Sequence, residues 1–268
     1  YDALPPDNAP GHGPVRGLVA PHIDVKIGGA CFASAFQHLR GCDTELFIIL
    51  GTAHGFSENM FILAPRSFDT PLGAMPLHTR AANTLTAAFG PALCAGEFNH
   101  RTEHSIEFQC VFLRHILGPD HPARILPVYV SSMHELLMSN SPFHTHSGVR
   151  DMAAALRDIA AQQRTCFIAG VDLAHVGLRF DDPTAPDRAM LDHIRARDME
   201  LADILVRHDR DAFFKHFQQD GDARHVCGMS ALALFLECLD PGPAHIAGYD
   251  QLEEDSGSMV SYISIVYT

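Results

Sequence analysis

The side chains that could do chemistry stand where apolar runs stop. His22 follows the run from Gly17 to Pro21 in "GLVAPHID", His54 follows Leu46 to Gly51 in "LFIILGTAH", and Asp172 and His175 follow Cys166 to Val171 in "GVDLAHVGLRF". Cys227 stands just ahead of a helical run that starts near Gly228. Imidazole and thiolate are ligands for iron, copper and zinc, so His22, His54 and Cys227 make a candidate metal-ligand set. Spacing alone does not impose it. No HExxH, CxxC, Walker or GxGxxG pattern occurs, and unrelated polar residues at loop starts would read the same way. Asp172 and His175 would reach one site from a tight turn or a first helical turn. There the carboxylate would orient a partner and the histidine would move a proton. The plainer alternative is an Asp cap on a short helix with a solvent-facing His. Cys227 can also be read as a nucleophile helped by His225 or His175, or as an inert buried thiol. Glu103 reads as a helix cap or as support for a metal-bound histidine, beside His104, with Glu107 on the surface.

These residues need a scaffold, and the apolar patterning supplies one. Strands are expected at Arg16 to Ala20, Glu45 to Gly51, Met60 to Ala64, Ser67 to Thr70, "ARILPVYVSS", Cys166 to Val171, Ile246 to Asp250 and Met259 to Tyr267. Helices are expected at Gly28 to Leu39, Thr79 to Phe89, Ser105 to Leu117, Arg150 to Gln163, Arg188 to Arg207, Asp211 to Gln218 and Gly228 to Leu239. The opening strand, helix and strand form a βαβ unit, which implies a parallel pair with a right-handed crossover. The expected fold is α/β: a mixed, largely parallel central sheet with helices on both faces. In such sheets ligands are met at the carboxyl ends of strands, where these residues fall.

The chain of 268 residues is long enough for one large domain. A single domain over residues 14–268 is expected, after a flexible tail over 1–13. That tail lacks a basic segment followed by an apolar one, so it is not read as a signal peptide. The chain also lacks an initiator Met, as a trimmed piece of something longer would. The formal charge of −13 argues against a nucleic-acid surface. No run of eighteen apolar residues predicts a membrane span. The 7 cysteines form no CxxC pair, which reads as reduced thiols in a cytoplasmic protein. Of the 18 histidines, His100, His121, His144 and His146 are expected to face solvent.

"PHID" with a following "GG", "ILGTAH", "TPLG", "EHSIE", "DLAHVGLRF" and the late "CG" occur in one order from Gly17 to Tyr267. In that order they resemble the Memo family, also called AmmeMemoRadiSam system protein B. The resemblance implies a fold like the catalytic subunit of class III extradiol dioxygenases, which hold non-haem iron. It implies His22, His54 and Cys227 as the metal-facing set and Asp172 and His175 as the adjoining catalytic pair. Fe(II) is the metal it favours, with copper or zinc as alternatives. The implied function is a metal-dependent redox enzyme, dioxygenase-like, acting on an unidentified small molecule. The alternative is a non-catalytic adaptor that binds a small ligand or peptide in the same pocket. AMMECR1-like and radical SAM proteins are the partners implied. This chain departs from the pattern at Ile23, Asp24 and Val25, where Ala-Gly-Tyr is usual. It departs again at Gly55, where a second histidine is common, and at Met229, where Arg is usual. Asp24 thereby adds a carboxylate beside the pocket.

Overall fold

The apolar run Leu46–Thr52 is buried at every position, as a strand covered on both faces must be. It is strand β2 of a computed structural model that describes residues 14–55, 57–96 and 101–268. The tail over 1–13 and His100 lie outside the described residues. Around β2 stand β1 (Gly17–Ala20), β3 (Phe61–Leu63), β4 (Arg124–Val130), β5 (Thr165–Gly170), β6 (Asp172–Gly177), β7 (Ala244–Glu254) and β8 (Ser258–Tyr267). They form one eight-stranded sheet in the order β3-β4-β2-β5-β1-β8-β6, with β7 paired to β8. The helices are α1 (Val25–Phe36), α2 (Thr79–Phe89), α3 (Glu107–Leu117), α4 (His134–Met138), α5 (Ser147–Ala160), α6 (Arg188–Val206), α7 (Arg210–Gln218) and α8 (Met229–Cys238). Among the described residues no helix is long and apolar enough to cross a membrane.

Alternate strand residues serve opposite faces. Leu46, Ile48 and Leu50 pack with α2, α5, α7 and α8, while Phe47 and Ile49 pack with Phe32 and Phe36 of α1 and Leu113 of α3. Helices therefore cover both faces, as the patterning predicts.

Several expectations are corrected. The sheet is mixed but not largely parallel: β4-β2-β5-β1 form a parallel core, and β3, β6, β7 and β8 all pair antiparallel. The reason is the β7–β8 hairpin, whose tight turn passes through Gly257 at φ 77 and returns β8 antiparallel to β1. β1 and β2 point the same way but are not neighbours, because β5 lies between them and pairs with both. Ser67 to Thr70 forms only an isolated bridge, Phe68 to Met75. His121, His144 and His146 are half-buried rather than solvent-facing. The largest correction concerns Asp172 to His175, which lies in strand β6 and not in a turn. After Gly170 the chain crosses the end of β1, with Val171 N donating to Ala20 O at 2.8 Å, and continues alongside β8 in line with β1. A bulge between Asp172 and His175 breaks the strand's alternation.

Candidate metal centre

The register of the parallel core sets the candidate residues level. Ala20 pairs with Gly170, Gly170 with Gly51, and Thr52 with Val130. His22 and Asp172 thus stand two residues, and His54 three, beyond the level shared by Ala20, Gly170 and Gly51 at the sheet edge. Cys227 reaches that edge from the turn before α8. Thr52 Oγ1 donates to Cys227 O at 3.4 Å, and Gly228 N donates to Asp172 O at 3.2 Å. The segment ahead of α3 lies across the same edge. Ser105 Oγ donates to Thr52 O at 2.8 Å and Gln109 Nε2 to Pro21 O at 2.8 Å. This close approach requires glycine: a Cβ on Gly170 would stand 2.4 Å from Ser105 O.

The donor atoms of His22, His54 and Cys227 all lie within 4.8 Å of one another. Cys227 Sγ is 3.5 Å from His22 Nε2, the separation that ligand bonds of about 2.0–2.3 Å give around a tetrahedral ion. The His22 and His54 rings stand edge-on, 5.1 Å apart at 88°. Each ring has its Nδ1 engaged away from the centre. His22 Nδ1 is 3.0 Å from Gly170 O, and His54 Nδ1 is 2.9 Å from Glu103 Oε2. With Nδ1–H donating in both, each Nε2 lone pair is left for a metal, the usual device for orienting metal-bound histidines. The donor set therefore fits a metal ion.

Electrostatics treat the three donors differently. Burial pushes the His22 imidazole below its ordinary pKa against the pull of Asp172, which keeps it neutral and ligating. The hydrogen bond to Glu103 raises His54 despite partial burial. Burial pushes Glu103 up, but the bonds from the His54 ring and amide outweigh it and hold the carboxyl at about 2. Burial, with Asp172 nearby, pushes the Cys227 thiol well up. A protonated thiol is a poor nucleophile, whereas a cation at this trio would itself deprotonate the sulfur.

Asp172 is buried and serves His22. Its Oδ1 accepts from His22 N at 3.0 Å, and its Oδ2 lies 3.6 Å from His22 Nε2. His175 stands on the same strand. Its Nδ1 is held by Leu173 O at 2.9 Å and its ring lies edge-on to Phe180 at 5.1 Å. Both line a cavity of about 660 Å³ with His22 and His54. A second cavity of about 550 Å³ reaches His54 and Cys227 from the other side, past His134, Asp222 and His225.

Two features escape sequence reasoning. His104 stacks parallel to His54 at 6.1 Å and edge-on to His22 at 5.6 Å, closing the cavity wall; "EHSIE" is the available signal, and it reads as support for a metal-bound histidine without placing His104 against either ring. The buried Arg224–Asp198 pair, at 2.5 Å, pins the segment that delivers Cys227 onto α6. No spacing could have shown that pairing.

Among known families, the one described as Memo-like protein matches residues 5–266. Similar curated proteins include a MEMO1 family protein of Aquifex aeolicus, 25% identical over 94% of this chain. Another from Methanopyrus kandleri is 28% identical over 76% of this chain and 69% of its own length. A third from Thermoplasma volcanium is 24% identical over 93% of this chain and 84% of its own length. This chain spans 63% of the length of the Aquifex relative.

Proposed function

The chain belongs to the Memo-like protein family, and from that premise we propose that it is a metal-dependent redox enzyme acting on a small molecule. His22 Nε2, His54 Nε2 and Cys227 Sγ would hold the ion. The observation that carries this reading is the paired engagement of Nδ1 on both histidines, which aims two lone pairs and a sulfur at one point. The family resemblance favours Fe(II), and a mixed imidazole and thiolate set is equally able to take copper or zinc. A redox metal bound there would supply one-electron chemistry and oxygen activation, and a dioxygenase-like reaction is the narrower form of the proposal.

The chain's own residues would do the rest. Asp172 fixes His22 through its amide, and Glu103 fixes His54 through both amide and ring. His175 is kept neutral by burial, and with Nδ1 held by Leu173 O its Nε2 can take a proton from a ligand in the cavity. Phe108, Phe180 and Val260 exclude water from one wall.

Anaerobic reconstitution tests the centre. The wild type should retain about one Fe(II) per chain by elemental analysis, and His54→Ala and Cys227→Ser much less. Equal retention in all three would remove the site. A wild type that retains metal but consumes no oxygen with any reductant or phenolic compound would make the protein a binding module instead.

A further inference from the structure

The cavity above the metal trio has a charge pattern that selects its occupant. Its lining carries the carboxylates of Asp24, Glu103, Asp172 and Glu254, and among the described residues Arg179 is its one Lys or Arg side chain. Arg179 is already committed: its guanidinium donates to Glu254 Oε1 at 2.7 Å and lies over the Phe180 ring at 5.6 Å. Glu103 and Asp172 are likewise spent on His54 and His22. Asp24 is not. One of its oxygens caps α1 by accepting from Lys26 N at 2.8 Å, which leaves the other for a ligand. Ile27, 43% exposed, sits on the same lining, with Phe108, Phe180 and Val260 further apolar surface. A large aliphatic side chain left this open beside a carboxylate suits a ligand with an apolar body and a positive end.

We propose that this cavity takes an organic cation, a compact apolar or aromatic body bearing a protonated amine, with the amine at Asp24 and the body against Ile27, Phe180 and Val260. The proposal rests on the cavity being the substrate site of the metal centre. Its charge logic is simple. A carboxylate ligand would meet the free oxygen of Asp24 with no unpaired Lys or Arg among the described lining residues to hold it, whereas an ammonium gains from Asp24. The formal charge of −13 on the whole chain favours the encounter in the same sense.

Phenethylamine and phenylacetate, which share a ring and differ in the sign of charge, provide the test. Binding of each to metal-free and to Fe(II)-loaded protein is followed by saturation-transfer NMR at neutral pH and low salt. Phenethylamine should bind at least about tenfold more tightly, the effect of one close charge partner. Asp24→Asn should bring the two within about threefold. Asn remains a good N-cap, so α1 is preserved in that variant. Glu254→Gln gives an independent second reading in the same direction. The proposal is overturned if phenethylamine shows no transfer, if phenylacetate binds as well, or if the preference survives both substitutions. Its failure is separable from failure of the metal reading. Amine preference without iron retention sinks only the metal, and iron retention without amine preference sinks only this inference.

Discussion

Asp198→Asn is the substitution whose effects reach furthest from its own position. Asp198 is 0% exposed. Its Oδ1 takes Arg224 Nη1 at 2.5 Å, and its Oδ2 takes Tyr249 Oη at 2.9 Å and Ser261 Oγ at 2.6 Å. Arg224 also donates to His216 Nε2 at 2.7 Å, and burial, with Arg224 and Arg197 close by, holds that histidine down at about 3 and therefore neutral. Removing the Asp198 charge leaves a buried guanidinium with no nearer anion than Asp220, 3.6 Å from its Nε. Breaking a buried pair from one side costs about 3–5 kcal/mol. Asn can keep part of the bonding to Tyr249 and Ser261, so about 3 kcal/mol is expected. At roughly 2–4 °C per kcal/mol for a chain of this order, the melting point should fall by roughly 6–12 °C. The same change should loosen the segment ahead of Cys227, because Arg224 O accepts from His175 N at 2.8 Å and Asp222 Oδ1 from Val226 N at 3.0 Å. Urea unfolding followed by far-UV circular dichroism reads the first effect. Cobalt(II) substitution reads the second: the sulfur-to-cobalt charge-transfer band should weaken while imidazole-bound cobalt persists. Asp198→Leu combined with Arg224→Met should recover much of the lost stability. A loss below about 1 kcal/mol, the range of a surface pair, would refute the reasoning, as would an unchanged cobalt spectrum in a destabilised variant.

The His54–Glu103 pair sets a pH dependence. Glu103 at about 2 lies below its ordinary 4.5, so its contribution to stability is complete above pH 4.5 and lost as pH falls through about 2. His54 lies above its ordinary 6.5, so its contribution is complete below pH 6.5 and lost as pH rises through the raised value. Metal affinity should run the opposite way on the alkaline side, rising as His54 loses its proton; Glu103→Gln should move that rise to lower pH and weaken binding about 10–100-fold in calorimetry. An unchanged profile in the variant would detach Glu103 from the centre. Gly170→Ala places a Cβ 2.4 Å from Ser105 O and 2.8 Å from Gln109 Nε2, and should cost about 1–3 kcal/mol in thermal melts by forcing the α3 approach outward. A variant that melts with the wild type would show that the segment yields freely. His175→Ala should keep its metal and lose turnover by about 10²–10⁴-fold; loss of the metal would instead make His175 a ligand, and loss of neither would leave it without a role in the centre.

The lines of the fold that depend on local pattern were legible in the chain itself. Leu46 to Gly51 and Cys166 to Val171 read as strands because every side chain is apolar, and they are buried on both faces. The α2 and α8 spans emerge from helical periodicity almost as they stand. His22, His54 and Cys227 stood out because polar ligand types break apolar runs at their ends. That the sheet is mixed was legible, but not that half its strands pair antiparallel, because a strand's pattern reports which faces are buried and not which way its neighbour runs. Asp172 to His175 read as a turn for a related reason: a bulge destroys the alternation by which a strand is recognised. The partners that tune the centre were decided by tertiary structure alone. Glu103 meets His54 across 49 residues, Asp172 meets His22 across 150, and Cys227 meets His22 across 205. Local propensity acts within a turn or a few strand positions, so contacts at such separations exist only once the sheet has brought the carboxyl ends of β1, β2 and β5 to one edge.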